Sequence, residues 1–222
     1  MRNILLLVSS IFSPLVFAAC SIPADSDIKL GVPYREQEQY NYCAAACVQM
    51  WRIYDGLPDN TSQQAIFNYM INGYCASNQL AVADAVRHFT NTYDAGWINR
   101  SSQDSYPEMA ARQITSIDAG APVIVVYRYD HTVVLQGGKW HPEDGLNVWD
   151  YIFMHDPAPG FGGANIKVGA LDWEFFTCNP SNGPFCDQIE SIGVTAAWNT
   201  NLAAHGSSVH VVGGQRGPYQ QN

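Results

Sequence analysis

Two different spacings of apolar residues follow one another along this chain, and the change comes near its middle. From about Cys43 to Gly120 the spacing is helical. An apolar run from Cys43 to Tyr54 stops before Asp55-Gly56, and Asn41 is placed to cap its start. Thr61 or Ser62 opens a second helix that runs through Met70 and ends at Gly73. Asn78 opens a third through Thr90, with Val82, Ala85, Val86 and Phe89 on one face. Pro107 suits the first turn of a fourth helix, which stops near Gly120. Beyond that point the runs are short and rich in β-branched and aromatic residues. Ala121 to Tyr129, Thr132 to Gln136 (closed by Gly137-Gly138) and Val148 to His155 read as strands, the last ending at Asp156-Pro157. Ile166 to Val168 and Ile192 to Trp198 are weaker strands, and Gly160 to Gly163 is a loop. Helices first and an antiparallel sheet second define an α+β domain.

The two ends of the chain follow a different pattern. Met1-Arg2 precedes an apolar segment from Ile4 to Phe17, and small residues then offer a cleavage site. This is the pattern of an export signal over residues 1–19 rather than of a membrane helix. Leu15-Val16-Phe17-Ala18-Ala19-Cys20 also resembles a bacterial lipoprotein box, with Phe17 where Leu is usual; lipid attachment at Cys20 and ordinary cleavage both stand as expectations. No later apolar run approaches the length of a membrane span. The domain is expected over residues 28–200. The tail from 205 to 222 is polar and Gly-rich, and is expected to be poorly ordered.

Composition narrows the function. The chain has 222 residues, 47% of them apolar, enough for one domain with a sizeable core. Its net charge of -9 argues against a nucleic-acid partner. Export permits disulfides. Of the six cysteines, Cys178 and Cys186 flank a turn-rich stretch and are expected to pair. With Cys20 lipidated and Cys43 free, Cys47 and Cys75 form the remaining pair. The competing reading has Cys43 itself in a bridge. There is no HExxH or paired CxxC motif, so neither a metal nor a cofactor is expected.

The chemistry centres on Cys43. A thiol at a helix N-terminus is easier to ionise, because unpaired N–H groups and the helix dipole favour the thiolate. Gln37, six residues earlier, is in range to donate to an oxyanion, although Gln39 competes for that role. Thiol hydrolysis also needs a base and a group that orients it. His131 heads one apolar strand and Asp156 ends the next strong one. If the two strands pair antiparallel, these residues meet. His155 adjoins Asp156, but strand alternation sends it to the opposite face. Asp156 before Pro157 also reads as a plain turn residue.

Gln37, Cys43 opening a helix, His131 on a strand and Asp156-Pro157 together resemble the papain-like cysteine peptidases, in particular the bacterial branch related to bacteriocin-leader-processing peptidases. The resemblance spans roughly Val32 to Pro157. It implies a papain-like fold, a peptide or protein substrate and a site with Cys43 as nucleophile, His131 as base, Asp156 as its orienter and Gln37 as oxyanion donor. Many relatives carry Gly or Trp directly after the cysteine, where this chain has Ala44. Such a site can also pass an acyl group to an amine, as a transglutaminase does. The alternative of another class is a papain-like module of the cell envelope that binds a partner without cleaving it.

Overall fold

The sheet is where the two halves of the sequence meet. A computed structural model of the chain describes residues 27–73, 79–99, 105–127, 131–160, 162–177 and 189–194. The signal segment, the C-terminal tail, Cys20, Cys75, Cys178 and Cys186 all lie outside the described residues. The sheet is antiparallel and has seven strands. Its order is β2 (Ala95–Asn99), β7 (Ile189–Val194), β3 (Val123–Tyr127), β4 (His131–Glu143), β5 (Leu146–Asp156) and β6 (Gly163–Gly169), and β1 (Asp27–Lys29) also pairs with β4.

Helices α1 (Cys43–Tyr54), α2 (Gln63–Gly73) and α3 (Gln79–Phe89) pack on one side, against Ile124, Val126, Val134 and Ile192. α4 (Tyr106–Asp118) and α5 (Ala170–Thr177) belong to the other side, with Val123, Val125, Val133 and Leu135. The central strands are therefore buried on both faces. That is why they read as unbroken apolar runs rather than as alternation.

α1 matches the run read from the sequence. Its start does not: the N-cap is Tyr42, not Asn41, and no side chain caps it. The first intrahelical bond runs from the Ala46 N–H to the Tyr42 carbonyl, at 2.8 Å. The N–H groups of Cys43, Ala44 and Ala45 therefore have no partner within the helix. Ala45 to Trp51 are all buried. The helix is the centre of the molecule, covered by α2, α3 and the sheet, and small alanines in its first turn let it approach the strands closely.

β4 also departs from expectation. It continues through Gly137-Gly138 to Glu143 instead of stopping at them. The glycines are there because other backbones come close. A Cβ on Gly137 would lie 1.9 Å from the Ile28 carbonyl oxygen of β1, and one on Gly138 would lie 2.1 Å from that of Tyr151 in β5. Gly137 also has φ 147°, in the region only glycine enters freely. Gly137→Ala is expected to cost about 2 kcal/mol, through strain or through loss of β1. A shift of the urea midpoint measures it. An unchanged midpoint would mean that β1 moves away without cost.

The β4–β5 hairpin turns on Asp144-Gly145, with φ of 48° and 83°, the pattern of a two-residue hairpin turn matched to the sheet's twist. Its register ends with Val134 opposite His155. The head of β4 and the tail of β5 are thereby neighbours. Of the described elements, β1, β2 and α5 have no counterpart in the sequence reading.

Candidate active site

Cys43 opens α1, His131 opens β4 and Asp156 closes β5. The structure brings all three together. The His131 Nε2 lies 2.8 Å from Asp156 Oδ1, and the ring also hydrogen-bonds Cys43. With Nε2 engaged by the carboxylate, Nδ1 is the nitrogen left for the thiol. Asp156 is itself fixed: its Oδ1 accepts the Ala158 N–H at 2.9 Å, in a local turn around Pro157.

Burial alone would lower the His131 pKa. The hydrogen bonds to Asp156 and Cys43, and their negative charges, override it and raise the pKa to about 9. Asp156 responds in the opposite sense. Its burial would raise its pKa, but the His131 hydrogen bond and charge, together with the Ala158 N–H, hold it below the usual carboxylate value. The geometry thus favours an imidazolium paired with the Asp156 carboxylate and hydrogen-bonded to Cys43.

Gln37 is 8% exposed. Its Nε2 donates to the Tyr40 carbonyl at 2.7 Å, while its Oε1 is buried without a partner. The orientation of the amide follows from Tyr40, because reversing it would set two acceptors against each other. An amide nitrogen carries two hydrogens, so one N–H remains to donate. The Gln37 backbone N–H bonds the Pro157 carbonyl at 2.9 Å. The glutamine and the aspartate are therefore held in one frame. Glu38 to Gln39 continue into the loop that delivers the chain to α1.

A polar brace that sequence reasoning missed supports this segment. Gln63 donates to the Glu36 carbonyl at 2.8 Å and to Gln49 Oε1 at 3.0 Å, and its own oxygen accepts the Glu38 N–H at 2.8 Å. Gln49 donates in turn to the Thr61 carbonyl at 3.0 Å. Residues 36 and 38, on either side of Gln37, are so tied to α1 and α2. The signal is present in the sequence: Gln49 interrupts the apolar run from Ala44 to Trp51, and a buried amide must find partners.

The other candidates take different places. His155 is buried, with Nε2 donating to the Val32 carbonyl at 2.7 Å and Nδ1 accepting the Asn165 N–H at 3.1 Å. Both ring nitrogens are occupied, and burial pushes the pKa down. His155 is a neutral bracket, not a base. His141 bonds Asp150 at 2.7 Å near the hairpin turn, far along β4 from His131.

The expected Cys47–Cys75 bridge is overturned. Cys47 is a free, fully buried thiol whose Sγ lies 3.4 Å from the Thr132 carbonyl. Burial first, then the nearby charges of Cys43 and Asp156, push its pKa well up. A thiol one turn below Cys43 packs as an apolar residue and is unreactive. Cys43 is also free, and it is partly exposed. The Cys178–Cys186 pairing lies outside the described residues.

The family model of the Peptidase_C39 like family matches residues 29–178, a span that contains Gln37, Cys43, His131 and Asp156. The chain belongs to that family. It is a papain-like cysteine peptidase of α+β fold, in keeping with the resemblance read from its sequence. The Peptidase_C39 like match begins at the last residue of β1 and runs from α1 to the end of α5, and β7 lies beyond it. One solved structure, described as "Crystal structure of a double glycine motif protease from AMS/PCAT transporter in complex with the leader peptide", superposes with a TM-score of 0.47 at 20% identity. The match covers 78% of this chain and 99% of that one. No curated protein matches the sequence.

Proposed function

We propose that this C39-like chain is an exported thiol peptidase that works through an acyl-enzyme on Cys43. The observation that carries the reading is the His131 ring, held between Asp156 and the Cys43 thiol. The Cys43 thiolate attacks a peptide carbonyl carbon. The oxyanion takes the Cys43 N–H and the remaining N–H of Gln37. As the C–N bond breaks, the His131 imidazolium gives its proton to the leaving amine. A thioester remains. Neutral His131 then takes a proton from water, the hydroxide adds to the thioester carbonyl, and collapse expels the Cys43 thiolate and releases the acid. Asp156 keeps the ring turned and stabilises its positive form. Export rests on the basic and apolar pattern of residues 1–19.

Alkylation of the unreduced protein tests the reading. Iodoacetamide is expected to label Cys43 rapidly near neutral pH and to leave buried Cys47 untouched. His131→Ala is expected to slow that labelling about tenfold or more, as the thiolate loses its cationic partner. Labelling only after reduction, or at a rate indifferent to His131, would overturn it.

A further inference from the structure

The chain carries three lysines in all, Lys29, Lys139 and Lys167, and the sheet register sets them on one face. Lys139 faces Tyr151 across β4 and β5, and Lys167 faces Phe153 across β5 and β6. On the next strand pair Lys29 faces Gly137, which in turn faces Phe153. Cross-strand partners point to the same side of a sheet. The side chains confirm the register. The Lys167 Nζ lies 3.6 Å from the centre of the Tyr151 ring and 6.0 Å from that of Phe153, and the Lys29 Nζ lies 4.8 Å from the Phe153 ring centre. Lys29 and Lys167 are exposed, while the two rings beneath them are half-buried. Among the described residues a carboxylate also joins the strip: Asp27 accepts the Tyr151 hydroxyl at 3.1 Å and stands opposite Lys139 in the register of β1 and β4, which leaves Lys29 and Lys167 as its exposed ammonium groups. A ring face attracts an ammonium without neutralising it, so the strip is a basic feature of a chain whose net charge is -9.

We propose that this strip of β1, β4, β5 and β6 docks on a bilayer surface rich in anionic phospholipids. Ammonium groups meet lipid phosphates, and a Tyr and a Phe beside them suit the headgroup level, where aromatic rings collect. The placement of β1 supports this occupant over an acidic protein. Asp27 stands at one corner of the strip, and Cys20, the acyl acceptor anticipated from the leader, precedes it by a reach of at most about 25 Å. A chain tethered there would meet the membrane with this face. The proposal does not depend on catalysis: the strip lies back along β5 from Asp156.

The test uses the full chain carrying Cys20→Ala, so that no acyl group adds, and vesicles of phosphatidylcholine with or without phosphatidylglycerol. Arg2 and the α-amino group of a retained leader add the same preference to every variant, so the readout is the part of the preference for anionic vesicles that the three lysines carry. Co-sedimentation is expected to show a preference for the anionic vesicles of about tenfold or more that falls with salt. Lys29→Gln, Lys139→Gln and Lys167→Gln together are expected to abolish the lysines' part of it, with peptidase turnover and the thermal midpoint unchanged. Lys167→Glu alone is expected to reduce it severalfold. Equal binding to both vesicles, or a preference that the triple change leaves undiminished, would overturn the proposal. Lysine-dependent capture of polyglutamate without any vesicle preference would also overturn it, and would make the partner an acidic polypeptide.

Discussion

Cys43→Ala is expected to lower turnover of a peptide substrate by about four orders of magnitude or more, while the protein stays folded. The size follows from the role. Without the sulfur there is no acyl-enzyme, and the rest of the site supplies only binding and oxyanion contacts. The fold should tolerate the change because Cys43 is only partly buried and alanine is the best helix former at the head of α1. His131→Ala should cost about as much, and the double variant little more, since nucleophile and base act as one unit. A further consequence separates chemistry from packing. Cys43 is one of the groups that hold the His131 pKa near 9. In Cys43→Ala that pKa should fall, and the imidazole proton resonances report it by NMR titration. Substantial residual turnover, or an unmoved His131 pKa, would show that the thiol and the ring do not act on each other.

The sequence made the site easier to read than its surroundings, and the reason is physical. Cys43 at a helix start, His131 at a strand start and Asp156 at a strand end are each placed by local rules of capping, periodicity and turn chemistry. Only one tertiary fact was needed to join the last two, the antiparallel pairing of β4 with β5. That pairing is itself local, because a two-residue turn connects the strands. The failures are the long-range cases. Gly137-Gly138 reads as a stop until β1, more than a hundred residues earlier in sequence, comes to lie against it. Counting cysteines gives Cys47 a bridge to Cys75. Its spacing from Cys43 placed it one turn inside the helix, under the sheet, where a thiol packs as a small apolar residue. α5 and β2 are short and weakly patterned, so their structure comes from the sheet they join. The Gln49–Gln63 brace combines both cases: a buried glutamine in an apolar helix announces a partner, but only the fold says which one.

Asp156→Ala should lower kcat/KM by about two orders of magnitude, less than loss of Cys43, and should change the pH dependence in a direction fixed by the site. Asp156 acts through His131 and does not touch substrate. Its removal leaves nucleophile and base in place but frees the ring to turn and weakens its proton affinity. In the intact site the His131 pKa is raised to about 9, and the leaving amine needs the ring's proton. The rate should therefore hold across neutral pH and fall as pH rises through about 9. In the variant that alkaline limb should move down toward the ordinary histidine value of about 6.5. Folding stability follows with the same sign. A histidine whose folded pKa is raised stabilises fully below its unfolded value, and that contribution is lost as pH climbs through about 9. Asp156, whose folded pKa is lowered, stabilises above its unfolded value of about 3.9 and loses that contribution as pH falls. The pair thus supports the fold fully between about pH 3.9 and about pH 6.5, and the histidine's share declines from there to about 9; Asp156→Ala should remove most of both contributions and flatten that alkaline decline. Urea midpoints measured at pH 5, 7 and 9.5 would show it. A variant with wild-type kcat/KM and an unshifted alkaline limb would remove Asp156 from the catalytic machinery and leave it as the turn residue that its position before Pro157 also allows.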